Sequence, residues 1–346
     1  MRGWLEEVWY GSAHAWFLRP MSALYAGAQG LRSAAYRSGL LKPTRVGRPV
    51  VVVGNLTVGG TGKTPLVAWL VEALAARGIR AGIVSRGYGR SGDAVRSVDP
   101  RDSWRDVGDE PLLLARRTRA PVVVGRDRVA AARRLIELGV DAIVADDGLQ
   151  HLRLARDFEL VVVDGARGFG NGRLLPSGPL REPLTRLRTV DAVVVNGDAP
   201  AGRPLAPASS PALRATMRVV VDGVLPVDSE AGTGRSAPAP VAEALESWRG
   251  RSVHAVAGIG NPQRFFGLLR GHGMAVTEHA FPDHHAFTRQ DLEFGDALPV
   301  LMTEKDAVKC AGFGDARLSY VRVSAQLGEP GARELMARVL QRLGRS

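Results

Sequence analysis

This chain is poor in cysteine, lysine and aromatic residues, and it has no long apolar run. Its 346 residues include one cysteine, Cys310, so no internal disulfide can form and nothing calls for an oxidising compartment. A lone thiol of this kind is expected to pack rather than react. No uninterrupted apolar stretch reaches the roughly 18 residues that a membrane-spanning helix requires. No apolar core followed by an A-x-A site marks a secretory signal. Aromatic residues are 6% of the chain and no dense basic run interleaves with them, so no nucleic acid partner is expected. Only Lys42, Lys63, Lys305 and Lys309 are lysines; arginine supplies the rest of the 46 basic residues.

What is present is ordinary globular composition, 45% hydrophobic and 23% charged, with a formal charge of +11. A surplus of that size suggests contact with something anionic: nucleic acid, which the lack of a basic aromatic run disfavours, an acidic membrane surface or a phosphorylated substrate. The length suggests about two domains. Trp4, Trp9 and Trp16, half of the six tryptophans, fall in the first sixteen residues. With Leu5, Val8, Phe17, Met21, Leu24, Ala28 and Leu31 they recur mostly at helical steps, and Pro20 is expected to kink or divide the helix. Two readings stand: an amphipathic helix packed on the body, or one lying in a membrane interface, where indole rings favour the headgroup boundary.

After residue 48 the pattern changes. Val50 to Val53 form an apolar β-branched run ending in Gly54, which suits a buried parallel strand. Pro65 opens a helical stretch to about Arg77. Strand-like runs follow at Ala81–Ser85, Pro121–Val124, Ala142–Ala145, Leu160–Val163 and Ala192–Val195, with helical patterns at Pro111–Arg117 and Arg126–Leu138. Such alternation predicts an α/β fold, a mostly parallel sheet flanked by helices. Asp198 to Pro211 reads as a surface connection, Arg218–Val221 as a strand beyond it, and Ala231–Pro240 as a second loop. From Arg251 a second α/β pattern begins: Val253–Ala257, a helix near Gln263–Leu269, Pro299–Met302, Leu318–Val323 and a last helix near Ala332–Leu343. The expected division is an N-terminal amphipathic segment (1–40), a phosphate-loop core (41–200), a linker region (201–250) and a smaller C-terminal α/β domain (251–346).

The strongest chemical signal is Gly54-Asn55-Leu56-Thr57-Val58-Gly59-Gly60-Thr61-Gly62-Lys63-Thr64, set between a predicted strand and a predicted helix. Glycines let several backbone N–H groups face one anion, and the helix N-terminus favours negative charge. Residues Thr57, Val58, Gly59, Gly60, Thr61 and Gly62 are the expected cradle. Lys63 can reach the β- and γ-phosphates of a nucleotide, and the Thr64 hydroxyl can ligate Mg²⁺. The strict G-x-x-x-x-G-K-[ST] pattern fails at its first position, Thr57. A phosphate loop also needs a metal-orienting carboxylate at a neighbouring strand end, and Ile143-Val144-Ala145-Asp146-Asp147 offers two. Because adjacent side chains alternate, Asp146 and Asp147 are not expected to share one role.

With these residues placed, the chain resembles the tetraacyldisaccharide 4′-kinases, the lipid A 4′-kinases of Gram-negative bacteria. The resemblance rests on N-L-T-V-G-G-T-G-K-T-P (Asn55–Pro65), S-R-G-Y-G-R (Ser85–Arg90), G-D-E-P (Gly108–Pro111), D-D-G-L-Q-H (Asp146–His151), L-L-P-S-G-P-L-R-E-P (Leu174–Pro183), F-P-D-H (Phe281–His284) and T-E-K-D (Thr303–Asp306), in that order. It implies transfer of the ATP γ-phosphoryl group to the 4′-hydroxyl of a tetraacylated glucosamine disaccharide 1-phosphate, with Mg²⁺, at the cytoplasmic face of the inner membrane. The lipid and the membrane surface are the implied partners.

The resemblance also implies Asp109 as the group that takes the hydroxyl proton, assisted by His284. The residues alone leave Asp109 open as a helix cap and His285 as a rival to His284, which the neighbouring Asp283 can orient. Arg181 and Glu182 follow a Gly-Pro turn. Arg181 can neutralise transferring phosphate charge and Glu182 can join the metal shell, or the two belong to a salt-bridged loop. Arg86 and Tyr88 lie just past a strand, where open α/β sheets place ligands, and are assigned to the sugar lipid. Asn196-Gly197-Asp198 also follows a strand and is not the N-K-x-D guanine signature, which favours ATP over GTP. The alternative function is a membrane-associated ATPase switch, which needs no acceptor base and hence neither G-D-E-P nor F-P-D-H.

Overall fold

A computed structural model of the chain describes residues 2–13, 15–198, 212–227 and 242–345. Pro200, Pro204, Pro207, Pro211 and the Ala231–Pro240 loop lie outside the described residues, as does the side chain of Arg2.

The wholly apolar run β1 (Val50–Gly54) is buried along its length and sits inside a sheet, between β5 (Ala142–Asp146) and β6 (Phe158–Asp164). Beyond β5 come β2 (Ala81–Ser85), β4 (Val122–Val124) and the short edge strand β3 (Arg96–Ser97). On the other side of β6 come β7 (Ala192–Asn196) and β8 (Leu213–Pro226), then β12 (Leu318–Leu327), β11 (Val300–Thr303), β9 (Ser252–Ala257) and β10 (Ala275–Ala280). These twelve strands form one continuous sheet. Every pairing is parallel except β3 with β4 and β12 with β8. β8 joins the two halves: it runs parallel to β7 and antiparallel to β12, with a register shift between Arg322 and Val323.

Helices cover both faces, as buried parallel strands require. The helix α3 (Lys63–Ala75) buries Leu66, Val67, Leu70, Val71 and Leu74 against one face. Fully burying each such side chain is worth about 1.5–3 kcal/mol over leaving it exposed. This helix starts two residues before the expected Pro65, because Gly62 at φ +90° turns the chain into it. α6 (Arg128–Glu137) covers the opposite face and is capped by Asp127, whose carboxylate accepts from the amides of Val129 at 2.9 Å and Ala130 at 3.2 Å. α5 (Asp109–Thr118) follows the one-turn helix α4 (Trp104–Val107). In the second half, α7 (Pro262–Gly271), α8 (Glu304–Cys310) and α9 (Gly331–Arg342) complete the layers. Cys310 is buried in the core.

The N-terminal segment divides earlier than Pro20. One helix, α1, spans Arg2–Tyr10 and a second, α2, spans Arg19–Arg37, with Pro20 in the first turn of the second, where a missing N–H costs nothing. Trp9 points inward: its Nε1 donates to the Pro176 carbonyl at 2.9 Å. The helix Arg19–Arg37 has no buried residue, yet it is held by polar bonds on one side. Ser22 Oγ lies 3.0 Å from the Leu174 carbonyl and 2.8 Å from Ser177 Oγ, and Tyr25 donates to the Arg181 carbonyl at 3.0 Å. Its other side carries Met21, Leu24 and Leu31 into solvent, beside Trp4, Trp16 and Phe17. Trp4 stacks on Phe17 at 6.0 Å. Among the described residues no helix is long and apolar enough to cross a membrane.

Candidate active site at the strand ends

The site forms where β1, β2 and β5 of the first half end, together with the turns after β9, β10 and β11 of the second. Parallel strands place their carboxyl ends on one edge, and β1 feeds its loop there between two neighbours.

The loop Thr57–Thr64 curls with Gly59 at φ +109° and Gly62 at φ +90°, values that L side chains rarely adopt. It is strapped from outside: Val58 N donates to the Pro179 carbonyl at 2.8 Å, and Asn196 Nδ2 donates to the Thr61 carbonyl at 3.0 Å. Val58 and Gly60 are exposed, while Thr57 and Thr61 are buried. Lys63 Nζ reaches Asn55 Oδ1 at 3.0 Å and Asp147 Oδ1 at 3.3 Å. The ammonium rests on these two acceptors. Arg181 joins the same group, with Nη2 3.0 Å from the Asn55 carbonyl and both terminal nitrogens on Asp147. Burial raises the Asp147 carboxyl, but Lys63 and Arg181 outweigh it and hold the group well below the usual carboxylate range.

Asp146 and Asp147 do different things, as side-chain alternation requires. Asp146 is buried and accepts from Ser85 Oγ at 3.1 Å through one oxygen, while its Oδ1 has no hydrogen-bond partner. Burial, with Glu110 and Asp147 nearby, pushes its carboxyl well above the usual carboxylate range. Asp147 takes φ +49° just past the strand. Glu182 is buried against Gln150 Nε2 at 2.7 Å and Arg186 Nε at 3.2 Å. Thr64 is partly exposed at the helix start. An orphaned buried oxygen beside a phosphate loop is the donor that a hard divalent cation accepts. Among the described residues no group of three His, Cys, Asp or Glu could enclose a metal by itself. Mg²⁺ sites that borrow phosphate oxygens need only one or two carboxylates.

Asp109 and His284, 175 positions apart, meet: His284 Nδ1 is 2.9 Å from Asp109 Oδ2 and 3.2 Å from Oδ1. Asp109 is 3% exposed, at the start of α5. Burial pushes its carboxyl up, and the His284 hydrogen bond with the Lys305 charge more than reverses this. The carboxylate does not cap its helix beyond a 2.8 Å bond from the Glu110 amide. Glycine makes the approach possible: a Cβ on Gly108 would lie 3.0 Å from Gly87 Cα, so S-R-G-Y-G-R and G-D-E-P nest backbone to backbone. That contact brings the Tyr88 ring to 4.8 Å from the His284 ring, while Tyr88 itself stays 60% exposed. Arg86 is exposed on the same loop. His284 takes φ +62°. His285 turns away, bonding Asp291 at 3.3 Å and stacking on Phe281. Asp283 bonds Lys305 at 3.2 Å.

Sequence reasoning gave no role to Asn55, Gln150, Glu110 or Lys305, although each falls inside one of the motifs N-L-T-V, D-D-G-L-Q-H, G-D-E-P and T-E-K-D. The signal was the motifs themselves: N-L-T-V and T-E-K-D contain polar side chains that neither a strand nor a loop needs. Asn196 lies at the end of β7 under the phosphate loop, with Arg264 3.1 Å from its Oδ1.

Comparison with known proteins agrees with this geometry. The family model for tetraacyldisaccharide-1-P 4′-kinase matches residues 14–341. The chain is 51% identical over 341 residues to a tetraacyldisaccharide 4′-kinase of Alkalilimnicola ehrlichii, covering 98% of this chain and 96% of that one. It is 46% identical over 341 residues to that of Methylobacillus flagellatus, covering 97% and 96%. The crystal structure of LpxK from Aquifex aeolicus in complex with ATP superposes with a TM-score of 0.76 at 28% identity, over 94% of this chain and 98% of that one. A strand-end site with a phosphate loop, on a chain matched over nearly its whole length, therefore belongs to the tetraacyldisaccharide 4′-kinase family of lipid A biosynthesis.

Proposed function

We propose that this kinase moves the γ-phosphoryl group of ATP to the 4′-hydroxyl of a tetraacylated glucosamine disaccharide 1-phosphate, seated on the cytoplasmic face of the inner membrane. The observation that carries the mechanism is the 2.9 Å contact between Asp109 and His284, which spans the two halves of the sheet. Asp109 receives the hydroxyl proton and His284 holds the carboxylate in place. A positioned base contributes about 10²–10⁴-fold.

ATP as donor is supported by the nucleotide held in the Aquifex aeolicus relative. The backbone of Thr57–Gly62 cradles the phosphates and Lys63 leaves Asn55 and Asp147 to meet them. The orphaned Asp146 Oδ1 and the Thr64 hydroxyl fit Mg²⁺, with Asp147 and Glu182 beside them already engaged by arginines. The ion, when bound, neutralises phosphate charge. Arg181 adds a second fixed charge. Tyr88 and Arg86, exposed beside His284, receive the sugar headgroup.

The division at 1–40, 41–200, 201–250 and 251–346 goes with this reading, the nucleotide lying between the second and last parts. Membrane contact rests on the exposed Trp4, Trp16, Phe17, Met21, Leu24 and Leu31, since an apolar patch of this kind marks an interaction surface. Arg19, Arg32 and Arg37 are exposed on the same helix and meet anionic headgroups. A groove of about 570 Å³ lies between that helix and the segment Gly172–Thr185, lined by Arg19, Leu174 and Leu184. The test is purified protein with γ-labelled ATP, Mg²⁺ and the disaccharide lipid in vesicles. Label must pass to the lipid and not to water, and Asp109→Asn must remove that transfer while leaving ATP binding intact. Label released only as phosphate would refute the reading.

A further inference from the structure

Lys305 stands in the first turn of α8, in the segment T-E-K-D. An ammonium has three N–H donors and no acceptor. Three acceptors surround this one: Glu110 Oε1 at 2.9 Å, Asp283 Oδ1 at 3.2 Å and His284 Nε2 at 3.3 Å. Asp109 Oδ2 is 4.0 Å away. A nitrogen that faces a group able only to donate must be the unprotonated one. The ring proton then belongs on Nδ1, which faces Asp109 at 2.9 Å.

We propose that Lys305 is a positioning residue that fixes the tautomer of His284, so that the ring donates from Nδ1 to Asp109 and its Nε2 is kept from taking a proton. This rests on the Asp109–His284 pair being the proton-handling pair of the proposed reaction. The rest of the segment serves the same end. Thr303 Oγ1 accepts from the Asp306 amide at 3.2 Å and caps α8. Asp306 Oδ2 accepts from Gly258 N at 2.9 Å, and the Gly258 carbonyl accepts from His284 N at 3.2 Å. Glu304 pairs with Arg117 at 3.1 Å, tying α8 to α5. Backbone and ring of His284 are thus held from one helix start.

The charged and titratable groups around the ring are Asp109 and Glu110 from α5, Asp283 beside it in the chain, Tyr88 from the loop after β2, and Lys305 from α8, where Lys309 also acts on Asp109. Burial pulls the Lys305 ammonium down, but Glu110, Asp109 and Asp283 reverse this and keep it charged. Remove that charge and Nε2 is left with Asp283 Oδ1 at 3.8 Å and no competing donor, while Glu110 loses the cation that neutralised it. The Asp283 carboxylate, with the unneutralised Glu110 charge behind it, then draws a second proton onto the ring. A doubly protonated ring binds the Asp109 carboxylate as an ion pair and weakens it as a base.

The experiment is ¹⁵N spectroscopy of the full-length protein with labelled histidine, His284 being assigned with His284→Gln, alongside the pH dependence of kcat. The wild type should show protonated Nδ1 and bare Nε2. Lys305→Met should show protonation at Nε2 and a new acid-side limb in kcat. Its loss at mildly acidic pH should reach about 10²-fold and recover in base, with KM for ATP little changed. Lys305→Arg, which keeps a charged donor, should restore the Nδ1 form and most of the profile. A wild-type ring protonated at Nε2 overturns the inference, and this measurement does not depend on the folding of Lys305→Met. So does a Lys305→Met protein whose spectrum and profile match the wild type. An Nε2 tautomer with an inactive Asp109→Asn enzyme would refute this inference alone. An Nδ1 tautomer with a fully active Asp109→Asn enzyme would refute the base and with it any kinetic role for Lys305.

Discussion

Arg181 grips both carboxylate oxygens of Asp147, Nη1 lying 2.9 Å from Oδ2 and Nη2 2.9 Å from Oδ1. Its backbone N donates to the Leu56 carbonyl at 2.6 Å, and its own carbonyl accepts from Tyr25. One residue therefore links the phosphate loop, the strand-end acid and the exposed N-terminal helix. Arg181→Ala should lower kcat by about 10²-fold, the size expected for a lost fixed charge in a phosphoryl-transfer site. Arg181→Lys should recover little, because an ammonium lacks the planar fork that makes two parallel bonds to the carboxylate. Steady-state kinetics with saturating ATP checks both.

Lys63→Ala removes the charge directed at the phosphates. Phosphoryl transfer should fall by at least about 10²-fold while the circular dichroism spectrum stays that of the wild type. Near-normal turnover in a folded Lys63→Ala protein would show that the loop does not serve the transferred group.

Asp109→Asn and His284→Ala should each depress kcat, and the double variant should be little worse than the more damaging single one, because residues that act as a unit are not additive. The comparison of three kcat values decides. Fully additive losses would mean that the two side chains work separately despite their contact.

The membrane surface predicts a split among the tryptophans. Trp4, Trp16 and Phe17 are exposed, so replacing all three by Ser should leave Tm near that of the wild type, release the protein from anionic vesicles and slow turnover of vesicle-bound lipid. Trp9→Ser should instead lower Tm, since its indole N–H is bonded to Pro176. Vesicle sedimentation and thermal melts read the two effects. Unchanged vesicle binding in the triple variant would place the membrane contact elsewhere.

His151 gives stability a pH dependence. Burial, then Arg128, Arg156 and Arg32, lower it from 6.5 to about 4 in the folded chain. The unfolded chain takes up a proton as pH falls below 6.5 and the folded chain does not until about 4, so this residue's contribution is full above 6.5 and declines through that window. Urea midpoints at pH 7 and pH 5.5 should differ less in His151→Gln than in the wild type. Equal differences would show that His151 does not carry this dependence.

How much of this was legible follows from where each feature is decided. The strand Ala81–Ser85 and the starts of Ala142–Asp146 and Ala192–Asn196 follow from apolar runs bounded by turn residues. β10 was missed because Ala275–Ala280 alternates neither cleanly nor with apolar residues, being a half-exposed edge strand. α8 was missed because seven residues are too short to show a period. The phosphate loop, the acids at 146 and 147 and the family motifs were readable, since each is local and its chemistry depends on neighbours in sequence.

The sequence by itself determined the alternation of strands and helices and the loop that curls around an anion, because backbone preference and side-chain period act over a few residues. Only the tertiary structure decided that β8 fuses both halves into one sheet, that Trp9 turns inward while Trp4 and Trp16 face out, and that Asp109, His284 and Lys305 converge. Aromatic residues lie on both sides of the N-terminal helices, so periodicity could not choose a face. The convergence depends on strand order and register, which bring α5, the turn after β10 and the start of α8 to the same edge of the sheet; no short-range pattern encodes a meeting across 175 positions.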